Sequence, residues 1–217
     1  MRVVIAGGHG QIALRLGRLL AERGDVPVGL IRDASQAGDL TAGGSEAVVC
    51  DLESVSLAEL AGHVAGADAV VFAAGAGPGS GAARKDTVDR GAAELLAAAC
   101  VRAGVSRYLL ISSMGLDRAV DDPVFSAYLV AKKAAEDAVR VFGLEWTVLR
   151  PGRLTDEQGT GRVRLADPPV HPGSVSRDDV AAVLAELLVR PGSARRTLEL
   201  VGGADPIAEA VWLVTGD

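Results

Sequence analysis

Tyr128 and Lys132 stand four residues apart, which on a helix places them on one face, a turn from each other. An ammonium beside a phenol stabilises the phenolate, so such a tyrosine becomes usable as a proton donor or acceptor nearer neutral pH. Ser112 and Ser113 close an apolar run that begins at Arg107, and either hydroxyl could hydrogen-bond a substrate oxygen. A serine, a tyrosine and a lysine set beside a hydride donor are what reduction of a carbonyl needs. Tyr and Lys also meet by chance on many helices and serines commonly end strands, so these three require an anchor elsewhere in the chain.

That anchor is amino-terminal. The apolar run Arg2 to Ala6 leads into Gly7-Gly8-His9-Gly10-Gln11-Ile12-Ala13 and then into an amphipathic segment, with Leu14, Leu16, Leu19 and Leu20 on one side and Arg15, Arg18, Glu22 and Arg23 on the other. This reads as strand, tight turn and helix. Glycine at Gly7 and Gly10 permits the turn and the approach of a phosphate to peptide N–H groups, Ala13 allows close helix packing, and the helix start presents a positive dipole end. The pattern is G-x-x-G-x-x-A, one residue longer than the common dinucleotide fingerprint, and a plain strand-to-helix turn favours glycine as well.

A second short strand, Val26 to Ile31, ends at Arg32-Asp33, about twenty residues beyond the turn, where a dinucleotide site reads the adenosine ribose. The last strand residue is Ile31 rather than an acid, and a guanidinium follows. That selects NADP(H) over NAD(H), the other use of Arg32 being a solvated charge paired with Asp33. Asp51, after a third strand Ala47 to Cys50, could accept from an adenine amino group or cap a turn. Ala69 to Ala74 reads as a fourth strand buried on both faces, and it runs into the glycine-rich loop Gly75 to Gly81. Lys132 could also hold the nicotinamide ribose.

The positioning elements alternate. Short helices are expected over Leu57 to Val64 and Asp178 to Val189, and long ones over Arg84 to Ala103 and Ser126 to Phe142. Strands are expected over Arg107 to Ser112, Trp146 to Leu149 and Thr197 to Val201, with a closing helix Pro206 to Leu213. Residues 117–125 read as a polar loop, and 153–174, with Pro168, Pro169 and Pro172, as an irregular lid over the sheet edge. The alternation predicts an α/β, Rossmann-like, doubly wound parallel sheet with helices on both faces. Residues 1–217 form one NAD(P)-binding domain in this reading, in which 153–217 supply the lid, a last strand and closing helices.

Composition narrows the function. The 217 residues are 49% hydrophobic and only 3% aromatic, with a formal net charge of −6; a basic stripe for nucleic acid is not part of such a chain, and the expected partner is a small molecule. Cys50 and Cys100 are too few for a disulfide framework. His9, His63 and His171 lack metal-ligand spacing, so no metal is expected. There is no apolar run of membrane-spanning length and no secretory pattern after Met1, so we expect a cytoplasmic monomer or homodimer without a membrane partner. Neither a G-x-S-x-G elbow nor a G-x-x-x-x-G-K loop is present, which argues against a hydrolase or a P-loop enzyme.

Taken together, Gly7 to Ala13, Arg32-Asp33, Asp51-Leu52, Ala73-Ala74-Gly75, Ser112-Ser113, the Tyr128 to Lys132 stretch and Arg150-Pro151-Gly152 fall in one order over the first 155 residues. That order resembles the short-chain dehydrogenase/reductase superfamily, in its atypical NmrA-like, NAD(P)H-binding branch, which takes in sequences of the NAD-dependent epimerase/dehydratase group. The resemblance implies that Gly7, Gly8, His9, Gly10, Gln11 and Ile12 hold the pyrophosphate, Arg32 the 2′-phosphate, and Asp51 and Leu52 the adenine. It also implies that Ala73, Ala74 and Gly75 line adenosine and ribose, and that backbone at Pro151 and Gly152 faces the nicotinamide. Tyr128 would be the proton donor, Lys132 its activator and ribose ligand, and Ser113, ahead of Ser112, the anchor for the substrate oxygen. The expected activity is NADP(H)-dependent hydride transfer to or from a small carbonyl, quinone or enone. Atypical members also include redox sensors that bind NADP(H) without turnover and regulate a protein partner, and flavin or tetrapyrrole reductases. The carboxyl-terminal part is short beside that of extended epimerases, which leaves little room for a nucleotide-sugar pocket.

Overall fold

The computed structural model describes residues 1–75, 77, 84–118 and 120–217. Most of the second glycine-rich loop expected from the sequence therefore lies outside the described residues. The strands are β1 (Arg2–Ala6), β2 (Val26–Ile31), β3 (Glu46–Val49), β4 (Ala69–Phe72), β5 (Arg107–Ile111), β6 (Glu145–Pro151), β7 (Arg153–Thr155), β8 (Arg162–Ala166), β9 (Ser174–Ser176), β10 (Arg196–Gly202) and β11 (Asp205–Pro206). The helices are α1 (Gln11–Glu22), α2 (Ala37–Ala42), α3 (Leu57–Val64), α4 (Ala92–Ala103), α5 (Pro123–Arg140), α6 (Arg177–Leu188) and α7 (Ile207–Thr215).

Nine strands form one sheet in the order β11-β8-β10-β6-β5-β4-β1-β2-β3. From β3 to β10 every neighbouring pair is parallel, and β8 and β11 add an antiparallel margin. The order reverses between β1 and β4, the switch point outside which open α/β sheets bind ligands. Strand alternation sorts the core into two layers. Val3, Ile5, Val71 and Leu109 face α1, α6 and α7, where Leu16, Leu20, Val180, Leu184, Leu187 and Val211 are buried. Val4, Ala6, Val70, Phe72, Tyr108 and Leu110 face α3, α4 and α5, against Leu60, Val64, Leu96, Ala135 and Val139. This is the Rossmann-like architecture expected from the sequence. No described helix is long and apolar enough to cross a membrane.

Three local readings change. The helix expected over 126–142 begins at Pro123, because the Asp122 carboxylate accepts from the Val124 and Phe125 N–H groups and proline suits the first helical position. The helix expected from Arg84 is a π-helical stretch over Lys85–Gly91 before α4 begins, and it places Asp89 inward, fully buried. The lid segment holds order: β7 pairs with β9 in a small parallel sheet, and β8 joins the main sheet beside β10.

At the carboxyl edge of α1's layer, the Asp178 and Asp179 carboxylates take the N–H groups of Gly159, Thr160 and Gly161. Asp178 also accepts from Arg15 Nε at 2.6 Å. The loop that leads into β8 is thus tied to the helix that follows the glycine turn.

Candidate functional site

The parallel strands deliver Gly7, Arg32, Asp51, Ala73, Ser113 and Pro151 to one edge of the sheet, and two adjoining cavities lie there. The smaller, about 400 Å³, is lined by Gly7, His9, Gly10, Arg32, Cys50, Asp51, Leu52, Glu53 and Arg84. The larger, about 1120 Å³, holds Ile12, Ser113, Tyr128, Lys132, Pro151 and Gly152 in its wall. Ala73, Ala74 and Gly75 line both. Of the residues that the sequence singles out, Gly8 and Gln11 line neither.

The turn after β1 is built for close approach. Gly7 has φ +76, and a Cβ there would sit 2.6 Å from Ala74 Cα. The Gly10 N–H donates to Gly7 O at 2.8 Å, closing the turn. The Gly8 N–H donates to Leu30 O at 2.9 Å, and its Cα packs against Gly29, so Gly8 holds β1's exit against β2. α1 has no side-chain cap at Gly10. The N–H groups of its first turn, at Gln11, Ile12 and Ala13, have no acceptor inside the helix and point out of its positive end. His9 Nε2 lies 2.7 Å from Asp39 Oδ2, joining the turn to α2.

Arg32 makes no ion pair among the described residues, although its charge helps to lower the carboxyls of Asp33 and Glu53. The Asp33 carboxylate accepts instead from the Ser35 hydroxyl and N–H, and these bonds are the main reason its carboxyl lies below the usual range. The sequence allowed an Arg32–Asp33 pair; the structure commits Asp33 locally and leaves the guanidinium on the cavity wall. Arg84 stands in the same wall, bound to Glu53 at 2.9 Å. Burial, with Glu59 and Asp51 nearby, pushes the Cys50 thiol up to about 11, so it lines the cavity as an inert group.

In the larger cavity, α5 carries Tyr128 and Lys132. Tyr128 is half-buried and stacks on Phe125, the ring centroids 5.8 Å apart. Lys132 Nζ is 5.9 Å from the centroid of the Tyr128 ring, donates to Ile111 O at 3.1 Å and lies 3.2 Å from Asp89 Oδ1. Its ammonium is therefore buried against a carboxylate that only the π-helical stretch brings there.

The two serines separate. Ser112 Oγ is buried and donates to Glu136 Oε1 at 2.6 Å. Ser113 is half-buried on the cavity wall, its hydroxyl 3.3 Å from Met114 O. Glu136, fully buried on α5, also receives Arg150 through two bonds of 2.8 and 2.7 Å and Arg140 at 2.8 Å. The Glu136 carboxylate raises the Arg150 guanidinium above its ordinary range. This network fixes α5 to β6 behind the cavity and commits the Ser112 hydroxyl to Glu136.

Sequence reasoning did not single out Asp89, Glu136, Glu199, Arg84, Arg118 or Arg153. The partners of Asp89, Glu199 and Arg84 lie on other elements, as do Ser112 and Arg150 for Glu136, and spacing along the chain carries no trace of those pairs.

Residues 7–191 match the NAD(P)H-binding family. The chain belongs to this family. Its relatives carry names of the epimerase/dehydratase group that the sequence resemblance leads one to expect. The chain is 36% identical to the uncharacterised sugar epimerase YhfK of Bacillus subtilis, over 97% of this chain and 99% of that one. A Bacillus halodurans protein solved as a candidate NAD-dependent epimerase/dehydratase is 33% identical and superposes with a TM-score of 0.91, covering 98% of this chain and 99% of that one. An NAD(P)H azoreductase of Xenophilus azovorans is 27% identical, over 92% of this chain and 68% of that protein.

Proposed function

We propose that this chain is an NADP(H)-dependent oxidoreductase acting on a small carbonyl, quinone or enone. The observation that carries the reading is that Ser113, Tyr128 and Lys132 line a cavity that adjoins, through Ala73 to Gly75, the cavity holding the glycine turn and Arg32. The azoreductase named among the relatives is in keeping with reductive chemistry.

The residues fit a dinucleotide phosphate. The first-turn N–H groups of α1 suit the pyrophosphate, and the glycine turn has no room for a Cβ at Gly7. Arg32 offers its fork of donors to a 2′-phosphate, and Ile31, the last residue of β2, has no side-chain acceptor for a bare 2′-hydroxyl. Asp51 and Leu52 would flank the adenine, and Pro151 and Gly152 the nicotinamide. When bound, NADPH supplies a hydride.

The chain's own groups do the rest. Ser113 Oγ, whose one side-chain hydrogen bond among the described residues is a long one to Met114 O, is available to donate to the substrate oxygen. Tyr128, in the wall of the same cavity, supplies the proton. Lys132, held between Ile111 O and Asp89, keeps a cation beneath the phenol ring and can reach a ribose hydroxyl. The segment 153–217 completes the domain by walling the substrate side with Leu154, Val170 and Pro172. Two buried, unpaired thiols suit a reducing compartment such as the cytoplasm.

The test is NADPH consumption against quinones, aldehydes, enones and oxidised flavins, with wild type and Tyr128→Phe run together and NADH as the competing cofactor. We expect turnover with NADPH that falls by about 10²-fold or more in Tyr128→Phe, the range for loss of a general acid. Turnover unchanged in the variant would overturn the tyrosine's role. NADPH binding without reduction of any compound would replace the enzyme by a redox sensor.

A further inference from the structure

The charged groups at the larger cavity differ in how they are partnered. Four carboxylates and their neighbours can be followed one by one. Asp89 faces Lys132 at 3.2 Å. Asp122 caps α5, accepting from the Val124 and Phe125 N–H groups through Oδ1. Glu199 accepts from the Val170 N–H at 2.7 Å, with Arg150 at 3.9 Å. Glu136, just behind the wall, is saturated by two arginines and Ser112. The cations end differently. Arg118 lies over the Phe125 ring, 4.8 Å from its centroid, and Arg153 is exposed on β7; both line the cavity, and neither makes an ion pair among the described residues.

Two guanidiniums thus stand on this wall without a carboxylate partner among the described residues, while each acid of the lining already has a cation or N–H groups to face. The remaining wall is apolar, with Met114, Val124, Phe125, Leu154 and Val170. Neither Arg118 nor Arg153 lines the smaller cavity where Arg32 stands, so the dinucleotide's phosphates have their own donors elsewhere. At about 1120 Å³ the larger cavity exceeds what one small ligand ordinarily fills, which leaves space for a substrate beside the nicotinamide.

We propose that the substrate is a flat, largely apolar molecule bearing one oxyanion, a carboxylate or a phosphate, and that Arg118 and Arg153 receive it at the cavity mouth. Guanidinium forks match either group in two-point geometry, and the cation stacked on Phe125 is held in place beside the apolar wall. The two arginines are specificity-determining residues, remote from the proton donor.

This inference rests on the larger cavity being the substrate site, and its test reads binding rather than turnover, so failure of the hydride-transfer reading would leave the result standing. The probes are 2-naphthoate, 2-naphthyl phosphate and the neutral 2-naphthamide, titrated calorimetrically into protein saturated with NADP⁺. We expect one of the two anions to bind at least about tenfold tighter than the amide, the worth of a charge-assisted hydrogen bond or more. The anion that gains the preference identifies the group. In Arg118→Gln/Arg153→Gln the preference should fall to about threefold or less, while Arg164→Gln, an exposed arginine on β8 outside both cavities, should keep it. NADPH affinity should be the same in all three proteins. Equal binding of anions and amide by wild type, no binding of any probe, or a preference that survives the double substitution would each overturn the proposal. A loss of NADPH affinity in the double variant would overturn it too, by assigning these arginines to the cofactor.

Discussion

Replacing Gly7 by alanine combines two costs that neighbouring glycines allow to be measured apart. At Gly7 the backbone is left-handed, φ +76, and an added Cβ would meet Ala74 Cα, N and Cβ at 2.6, 2.8 and 2.9 Å. Gly66 has φ +72 and nothing within 4 Å of the added atom, so Gly66→Ala carries the backbone cost alone, about 1–2 kcal/mol. Gly8 has no positive φ, but its Cβ would lie 2.6 Å from Gly29 Cα; Gly8→Ala carries the packing cost alone, about 1–3 kcal/mol. Both obstructions are backbone of adjacent strands or their exits, which cannot swing aside as a side-chain tip could. Gly7→Ala should therefore lose about 2–5 kcal/mol. For a chain of this size each kcal/mol lowers the Tm by about 2–4 °C, so the expected fall is about 4–20 °C. The assay is thermal unfolding of the three variants and wild type, with and without saturating NADPH. Gly66→Ala should keep the full stabilisation by cofactor and Gly7→Ala should lose most of it, because displaced Ala74 lines both cavities. A Gly7→Ala protein no less stable than Gly66→Ala would refute the close-approach argument, and one that kept the full cofactor stabilisation would refute the placement of the turn against the ligand.

Two further outcomes follow from the polar interior. Arg107 is buried, with four bonds of 2.5–2.8 Å to Glu145 O, Thr147 Oγ1, Leu187 O and Ser193 Oγ and no carboxylate among them, and burial pulls its guanidinium down to about 10; Arg107→Met should cost about 3–5 kcal/mol in denaturant unfolding, and a loss under about 1 would show the bonds to be dispensable. Asp178 sits below its usual value of 3.8, chiefly through the Gly159 N–H and then Arg15. A carboxyl lowered on folding stabilises above its unfolded pKa and ceases to do so as pH falls through the folded one; the Tm gap between wild type and Asp178→Asn should thus be open at pH 7 and shrink below about pH 3.8, and a constant gap would refute the assignment.

What was legible in the chain divides by where each residue's partner lies. β1, β2 and α3 have the bounds read from their apolar periodicity, and Ser56 caps α3 as its type and place require. The start of α5 was also written, in Asp122-Pro123, but a polar composition read as loop concealed a capping pair. Within 153–174 the run Arg162 to Leu165 alternates and becomes β8, whereas β7 and β9 are three residues each, too short to show a period, and their pairing with one another creates them. The π-helical stretch has no sequence signature, so Asp89 beneath Lys132 could not be anticipated. Tyr128, Lys132 and Ser113 were found because helix spacing and a strand end are local signals. Glu136 and Arg150 are fourteen residues apart on different elements and meet only after the sheet has formed.

The margin of the sheet has a consequence for how copies of this chain behave at high concentration. Its outermost strand, β11, is two residues long and ends in Pro206, which has no N–H to offer. At the opposite margin β3 runs only from Glu46 to Val49 and opens on a charged residue. An incoming strand finds few donors and acceptors at either rim, so end-to-end polymerisation of sheets into fibres is discouraged by the fold's own borders.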